Sequence, residues 1–152
     1  MKKINRDQES FTLIEIMISI IIIVIMSATI SAGFLDRKDE ISLFLFRGEL
    51  ISDLRFAQVK SINSANNFGI FIESTNRYVF FEDLNQNNSF DAGEKVRYVI
   101  LPEGTTFTSV SINRSLLFRK DGSLFGGVDI SLVITNNVIN ENILINSIGL
   151  IN

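Results

Sequence analysis

Two groups of residues in this 152-residue chain have the types and spacing to do chemistry. The first is Asp83, Asn85, Asn87, Ser89, Asp91 and Glu94, within "DLNQNNSFDAGE". They fall at positions 1, 3, 5, 7, 9 and 12 of a Ca²⁺ loop, a spacing that wraps one segment around a hard cation taking six to eight oxygens. Ser89 would offer its backbone carbonyl, and Phe90 supplies the apolar residue after it. Asn88 stands where such loops carry Gly, and Asn tolerates the left-handed region better than most residues. The competing reading is a solvated hairpin loop, since turns favour Asn and Asp in any case. The second group is a single carboxylate, Glu15, in "FTLIEIMISIIIIVIMSA". A charge in so apolar a segment is costly unless it snorkels to an interface or meets a partner.

Other chemistry is excluded by what the chain lacks. It has no Cys and no His. That removes thiol catalysis, a Cys-His pair, the usual zinc sites and any disulfide. The formal charge of −3 carries no nucleic-acid signature. There is no Gly-rich phosphate loop and no nucleophile elbow. Ca²⁺ is the only cofactor the sequence suggests, and no enzyme is expected.

The elements that position these groups can be read from hydrophobic pattern. From Ile16 to Leu35 there are 20 consecutive uncharged residues. As a helix they span roughly 30 Å, about one bilayer core. Lys2, Lys3 and Arg6 precede them, which predicts a cytoplasmic amino terminus and an extracytoplasmic remainder. The run is too long for a secretory signal peptide and no Ala-x-Ala site follows it. Further on, Leu43, Phe46, Leu50, Leu54 and Ala57 recur at helical steps and share one face. Glu49, Asp53 and Lys60 are expected on a solvated face. No proline interrupts 11–62, and one helix of about 50 residues is predicted, with Gly33 and Gly48 as its weak points.

Beyond Asn63 the pattern changes to short β-branched and aromatic runs: "FGIFIE", "RYVFFED", "KVRYVIL", "TFTSVSI", "SLLFRK" and "VDISLVIT". Turn chemistry separates them, including Asp121-Gly122, a hairpin signal. The fold class is therefore α+β: a long amino-terminal helix, half transmembrane and half amphipathic, packed on an antiparallel sheet of about six or seven strands. The organisation expected is 1–10 leader peptide, 11–35 transmembrane or assembly half of the helix, 36–62 amphipathic half, and 63–152 extracytoplasmic β domain.

The stretch "SFTLIEIMISIIIIVIM" resembles the processing motif of type IV pilins and type II secretion pseudopilins. The resemblance implies that a prepilin peptidase cuts between Ser10 and Phe11 and that Phe11 becomes N-methylphenylalanine. The family usually has Gly before the cut; Ser10 keeps the side chain small. It also implies that Glu15 pairs in the filament with the terminal amine of a neighbouring subunit. With both charges desolvated, an unpaired one costs several kcal/mol, so the pair would select the packing register. The remainder is similar to minor pilins and pseudopilins of the GspH/FimT-like group in three pieces: "LISDLRFAQVKSINSANNFGIFI", "EDLNQNNSFDAGEKVRYVILPEGTTF" and "LLFRKDGSLFGGVDISLVIT". The absent carboxy-terminal disulfide, common in major pilins, points to a minor component.

What the resemblance implies is a processed, membrane-anchored structural subunit of a type IV pilus or type II secretion pseudopilus. Its partners would be other pilin or pseudopilin subunits, the prepilin peptidase and the inner-membrane assembly platform. Its location would be the bacterial inner membrane, single-pass, and then the filament. The alternative is a tip pilin that binds DNA or a surface, for which Arg77, Arg97, Arg114, Arg119 and Lys120 would have to cluster. Scattered basic residues carry no such meaning, and nucleic acid is not the expected partner.

Overall fold

The computed structural model describes residues 11–108, 111–136 and 138–152, leaving aside the side chains of 28–37 and 39. It divides into two units, Met1–Lys38 and Asp39–Asn152. Helix α1, Leu13–Asn63, contributes to both. The Glu15 amide lies 3.3 Å from the Thr12 Oγ1 that caps the helix. Thr-x-x-Glu is the sequence form of a capping box, and here its Thr satisfies one of the free first-turn amides.

In the second unit, α1 buries the stripe read from the sequence: Leu43, Phe46, Leu50, Leu54 and Ala57 are at most 2% exposed. Each buried Leu or Phe contributes about 1.5–3 kcal/mol of transfer free energy. Below them the described residues form seven strands: β1 Asn67–Ser74, β2 Arg77–Asp83, β3 Lys95–Ile100, β4 Thr106–Phe107, β5 Arg114–Phe118, β6 Ile130–Thr135 and β7 Asn140–Ile145. They form two antiparallel sheets rather than one. The first has the order β3-β2-β1-β5 and the second β4-β6-β7.

The division follows from the chain between β5 and β6. After β5 it reverses at Asp121-Gly122, with Arg119 N donating to Ser123 O and a bridge from Phe118 to Leu124. The hairpin signal is thus realised, but the returning limb stops there. Gly126 and Gly127 take φ of 92° and 65°. Such backbone turns the chain out of the sheet, and Gly reaches it without steric cost. Among the described residues of the "TFTSVSI" segment, Thr106–Phe107 form strand, on β6.

Alternation decides the faces. Phe68, Ile70, Ile72, Tyr78 and Phe80 join the helix stripe, along with Leu132, Ile134, Ile143 and Ile145 of the second sheet, in one core. Polar ties also fix the helix to this core, Gln58 and Arg47 among them. Gln58 donates through Nε2 to Gly122 O and Gly149 O at 2.7 and 2.8 Å. Arg47 pairs with Glu141 of β7 at 3.3 Å.

Candidate functional site

The first unit presents a helix that buries none of its described apolar side chains. From Phe11 to Met26 the large apolar residues are 50% to 77% exposed. Glu15 is exposed on this surface, within the first turn. A carboxylate there is favoured by the amino-terminal end of the helix dipole. Two hydroxyls on the run turn inward: Ser19 Oγ donates to Glu15 O at 2.8 Å and Ser27 Oγ to Ile23 O at 2.7 Å. The surface is therefore apolar all round with one charge, the pattern of a helix made to be surrounded. Among the described residues no helix is long and apolar enough to cross a membrane. Residues 1–10, expected from the sequence to be a leader ending at Ser10, lie outside the described residues, and so do the side chains of 28–35.

The acidic loop follows β2 and packs on the outer face of the first sheet. Phe90 stacks on Phe71 at 4.9 Å and meets the edge of Phe81 at 5.4 Å between ring centroids. Asp83 and Glu94 are buried, at 0% and 6% exposure. The loop's own amides occupy both. Asp83 accepts from Asn87 N and Asn88 N, each at 3.0 Å. Glu94 accepts from Leu84 N, Asn85 N and Asp91 N at 2.9 to 3.2 Å. Asp91 accepts from the side-chain amides of Asn85 and Asn87. Asn87 Oδ1 accepts from Ser89 N at 2.8 Å, and Asn88 takes the left-handed φ of 63° that its position requires.

Among the described residues no three or more carboxylate, His or Cys side chains are grouped to hold a metal ion. The Ca²⁺ reading assigns Asp83, Asn85, Asn87, Ser89, Asp91 and Glu94 to one loop, and in this structure the carboxylates among them accept from the loop's own amides. The spacing is realised as a hydrogen-bonded turn. Buried backbone amides must find acceptors, and here the carboxylates provide them.

Asp53 was expected on the solvated face and is 8% exposed. Tyr78 Oη donates to its Oδ2 at 2.5 Å, and Arg97 forms an ion pair with its Oδ1. Arg97 also lies over the Phe80 ring, 5.7 Å from its centroid. Burial, and then the bond to Asp53, push the Tyr78 phenol well above its ordinary range. The signal was present in the spacing. Asp53 stands three residues after Leu50 and four before Ala57, so it belongs to the buried stripe. Its partners could not be read locally. β2 sets Phe80 opposite Arg97, with Tyr78 two residues from Phe80 on the same face.

The basic residues do not converge. Arg97 is bound to Asp53, Arg77 pairs with Glu73 at 2.6 Å, and Arg119 covers the Phe125 ring. Arg114, opposite Ile72, lies at the other end of β5 from Arg119.

A family model described as the prokaryotic N-terminal methylation motif matches residues 5–31. That match covers the amino-terminal segment; the rest of the chain is compared by its fold, a long helix packed on antiparallel sheets. The fold is shared with the type IV minor pilin FimU of Pseudomonas aeruginosa, at TM-score 0.55 and 17% identity over 69% of this chain and 86% of that one. It is shared also with EpsH, a minor pseudopilin of the Vibrio cholerae type 2 secretion system, at TM-score 0.52 and 15% identity over 71% and 92%. No curated protein matches the chain in sequence.

Proposed function

We propose that this chain is a minor pilin or pseudopilin: a structural subunit, not a catalyst, that is processed at the membrane and built into a type IV pilus or type II secretion pseudopilus. One observation carries the reading. Within the methylation motif the helix exposes its apolar surface, 50% to 77% at every large apolar residue from Phe11 to Met26, with Glu15 as the only carboxylate on that stretch. Such a surface is stable in lipid or among like helices and not in water. Residues 1–10 are then the leader, 11–35 the anchor and assembly segment, and the domain beyond is extracytoplasmic. Cleavage falls between Ser10 and Phe11, and methylation on the new Phe11 amine. Glu15 meets the amine of a neighbouring subunit. The partners are the peptidase, other pilin-like subunits and the assembly platform.

Coexpression with a prepilin peptidase tests this. The expected product lacks Met1–Ser10 and begins with N-methylated Phe11, read by mass spectrometry of the membrane fraction. An intact chain beside an active peptidase would refute the reading. The dispersal of the basic residues gives no support to a DNA-binding tip.

A further inference from the structure

We propose that the outer face of the first sheet carries a binding site for a sugar acid: a pyranose ring bearing one carboxylate, of the hexuronate class. The proposal goes beyond the subunit role and does not rest on it. The site is a cleft of about 360 Å³ between the acidic loop and strands β2 and β3, with Val79 at its base. Clefts that hold small ligands measure roughly 300–1,000 Å³. Its shape follows from the register. Val79 lies opposite Phe71 on one side and Tyr98 on the other, so the three share a face of the sheet. That face is turned away from Tyr78 and Phe80, which enter the core under the helix. Phe90 stacks on Phe71 and stands the acidic loop on this face as one wall. Arg77, two residues from Val79 and bound to Glu73 at 2.6 Å, forms the other end.

Three features of the lining select the ligand. Val79, Phe90 and Ala92 give an apolar patch, which takes the carbon face of a ring. Beside it, the Glu73–Arg77 pair keeps carboxylate lone pairs and guanidinium N–H groups beyond those that bond each other, and hydroxyls both donate and accept. Lys95 carries the remaining charge. Its ammonium lies over the Tyr98 ring, 5.3 Å from the centroid, and forms no ion pair among the described residues. The carboxylates nearest to it in sequence are already engaged. Glu94 accepts from three backbone amides and Asp91 from the side-chain amides of Asn85 and Asn87. Glu73 and Arg77 cancel, so the cleft is left with one net positive charge, on Lys95. A hydrocarbon acid would meet the patch and Lys95 but desolvate Glu73 and Arg77 without bonding them. A neutral sugar would meet the patch and the pair but leave Lys95 without a counter-ion. A hexuronate answers all three.

The test uses the full-length chain in detergent micelles, with glucuronate, glucose and gluconate as probes. Glucose has the ring without the charge, and gluconate the charge without the ring. Saturation-transfer NMR, referenced to protein-free micelles, should show glucuronate bound about tenfold more tightly than either, roughly what one charge-assisted hydrogen bond contributes. Lys95→Gln should reduce glucuronate to the level of glucose, and Lys95→Arg, which keeps the charge, should retain most of the difference. Lys95 is exposed, so both variants should melt with the unaltered chain. Raising the ionic strength should weaken glucuronate and leave glucose unchanged. No transfer to glucuronate, equal affinity for the three probes, tighter binding of gluconate, or undiminished glucuronate binding in Lys95→Gln would each overturn the proposal.

Discussion

Glu15 and Asp53 are carboxylates on one helix, both among apolar residues, and they meet opposite circumstances. Asp53 is buried by its own fold and receives a phenol and a guanidinium. Glu15 is exposed on a stretch whose apolar neighbours are exposed with it. The difference lies in what surrounds each turn. Around Asp53 only one stripe is apolar, and two strands supply the partners. Around Glu15 the described faces are apolar and exposed, and in the function proposed above its partner is the amine of a neighbouring subunit. In that reading a charge within an apolar stripe is an internal lock where the fold reaches it, and a docking point where it does not.

Glu15→Val should break the docking side of this comparison and give the largest effect. Cleavage and insertion should persist, since the segment becomes more apolar. Incorporation into filaments should fall by about 3 kcal/mol, on the order of 100-fold, because a neighbour's amine is left buried without its partner. Filament content measured by shearing and immunoblotting checks this, beside an unchanged melting temperature of the domain. Normal incorporation would mean that the charge is only tolerated.

Asp53→Ala should do the reverse. It leaves the Tyr78 hydroxyl and Arg97 without their acceptor, and Arg97 is partly solvated, with 44% of its side chain exposed. A loss of about 2 kcal/mol is expected, discounted for that exposure, and a melting temperature several degrees lower. Thermal unfolding reads it, and processing at Ser10–Phe11 should be unaffected.

A smaller effect should appear at alkaline pH. The folded Tyr78 phenol is held above its ordinary value of 10.0, so the folded state retains a proton that the unfolded chain releases. The stability linked to Tyr78 is present below pH 10 and is lost as pH rises through the higher folded value. Tyr78→Phe should cost about 1 kcal/mol at neutral pH and flatten the alkaline decline. Parallel melting curves of the two proteins up to pH 11 would show convergence; equal slopes would assign the decline to other groups.

The smallest effect is expected from calcium. Because the loop closes on its own amides, the melting temperature should be the same with Ca²⁺ and with chelator, while Asp83→Ala lowers it in both. A rise of several degrees on adding Ca²⁺, lost in Glu94→Ala, would show the ion bound at the loop by mass action.

The sequence by itself determined whatever depends on near neighbours along the chain. Periodicity placed the helix and its buried stripe from Leu43 to Ala57, and β2 runs from Arg77 to Asp83 as its residues predict. The order of residues around Phe11 and Glu15 identified the methylation motif without any fold. Only the tertiary structure decided the rest, because each remaining feature joins residues far apart. Asp53 is buried because β2 and β3 bring Tyr78 and Arg97 beneath it. The strands divide four and three because β5 pairs with β1 while β6 takes β4 and β7. The loop carboxylates face inward because Phe90 seats the loop on Phe71 and Phe81, and the amides it buries then need acceptors. β3 is an edge for the same reason: strand order is set by pairings across the domain, which local pattern does not encode.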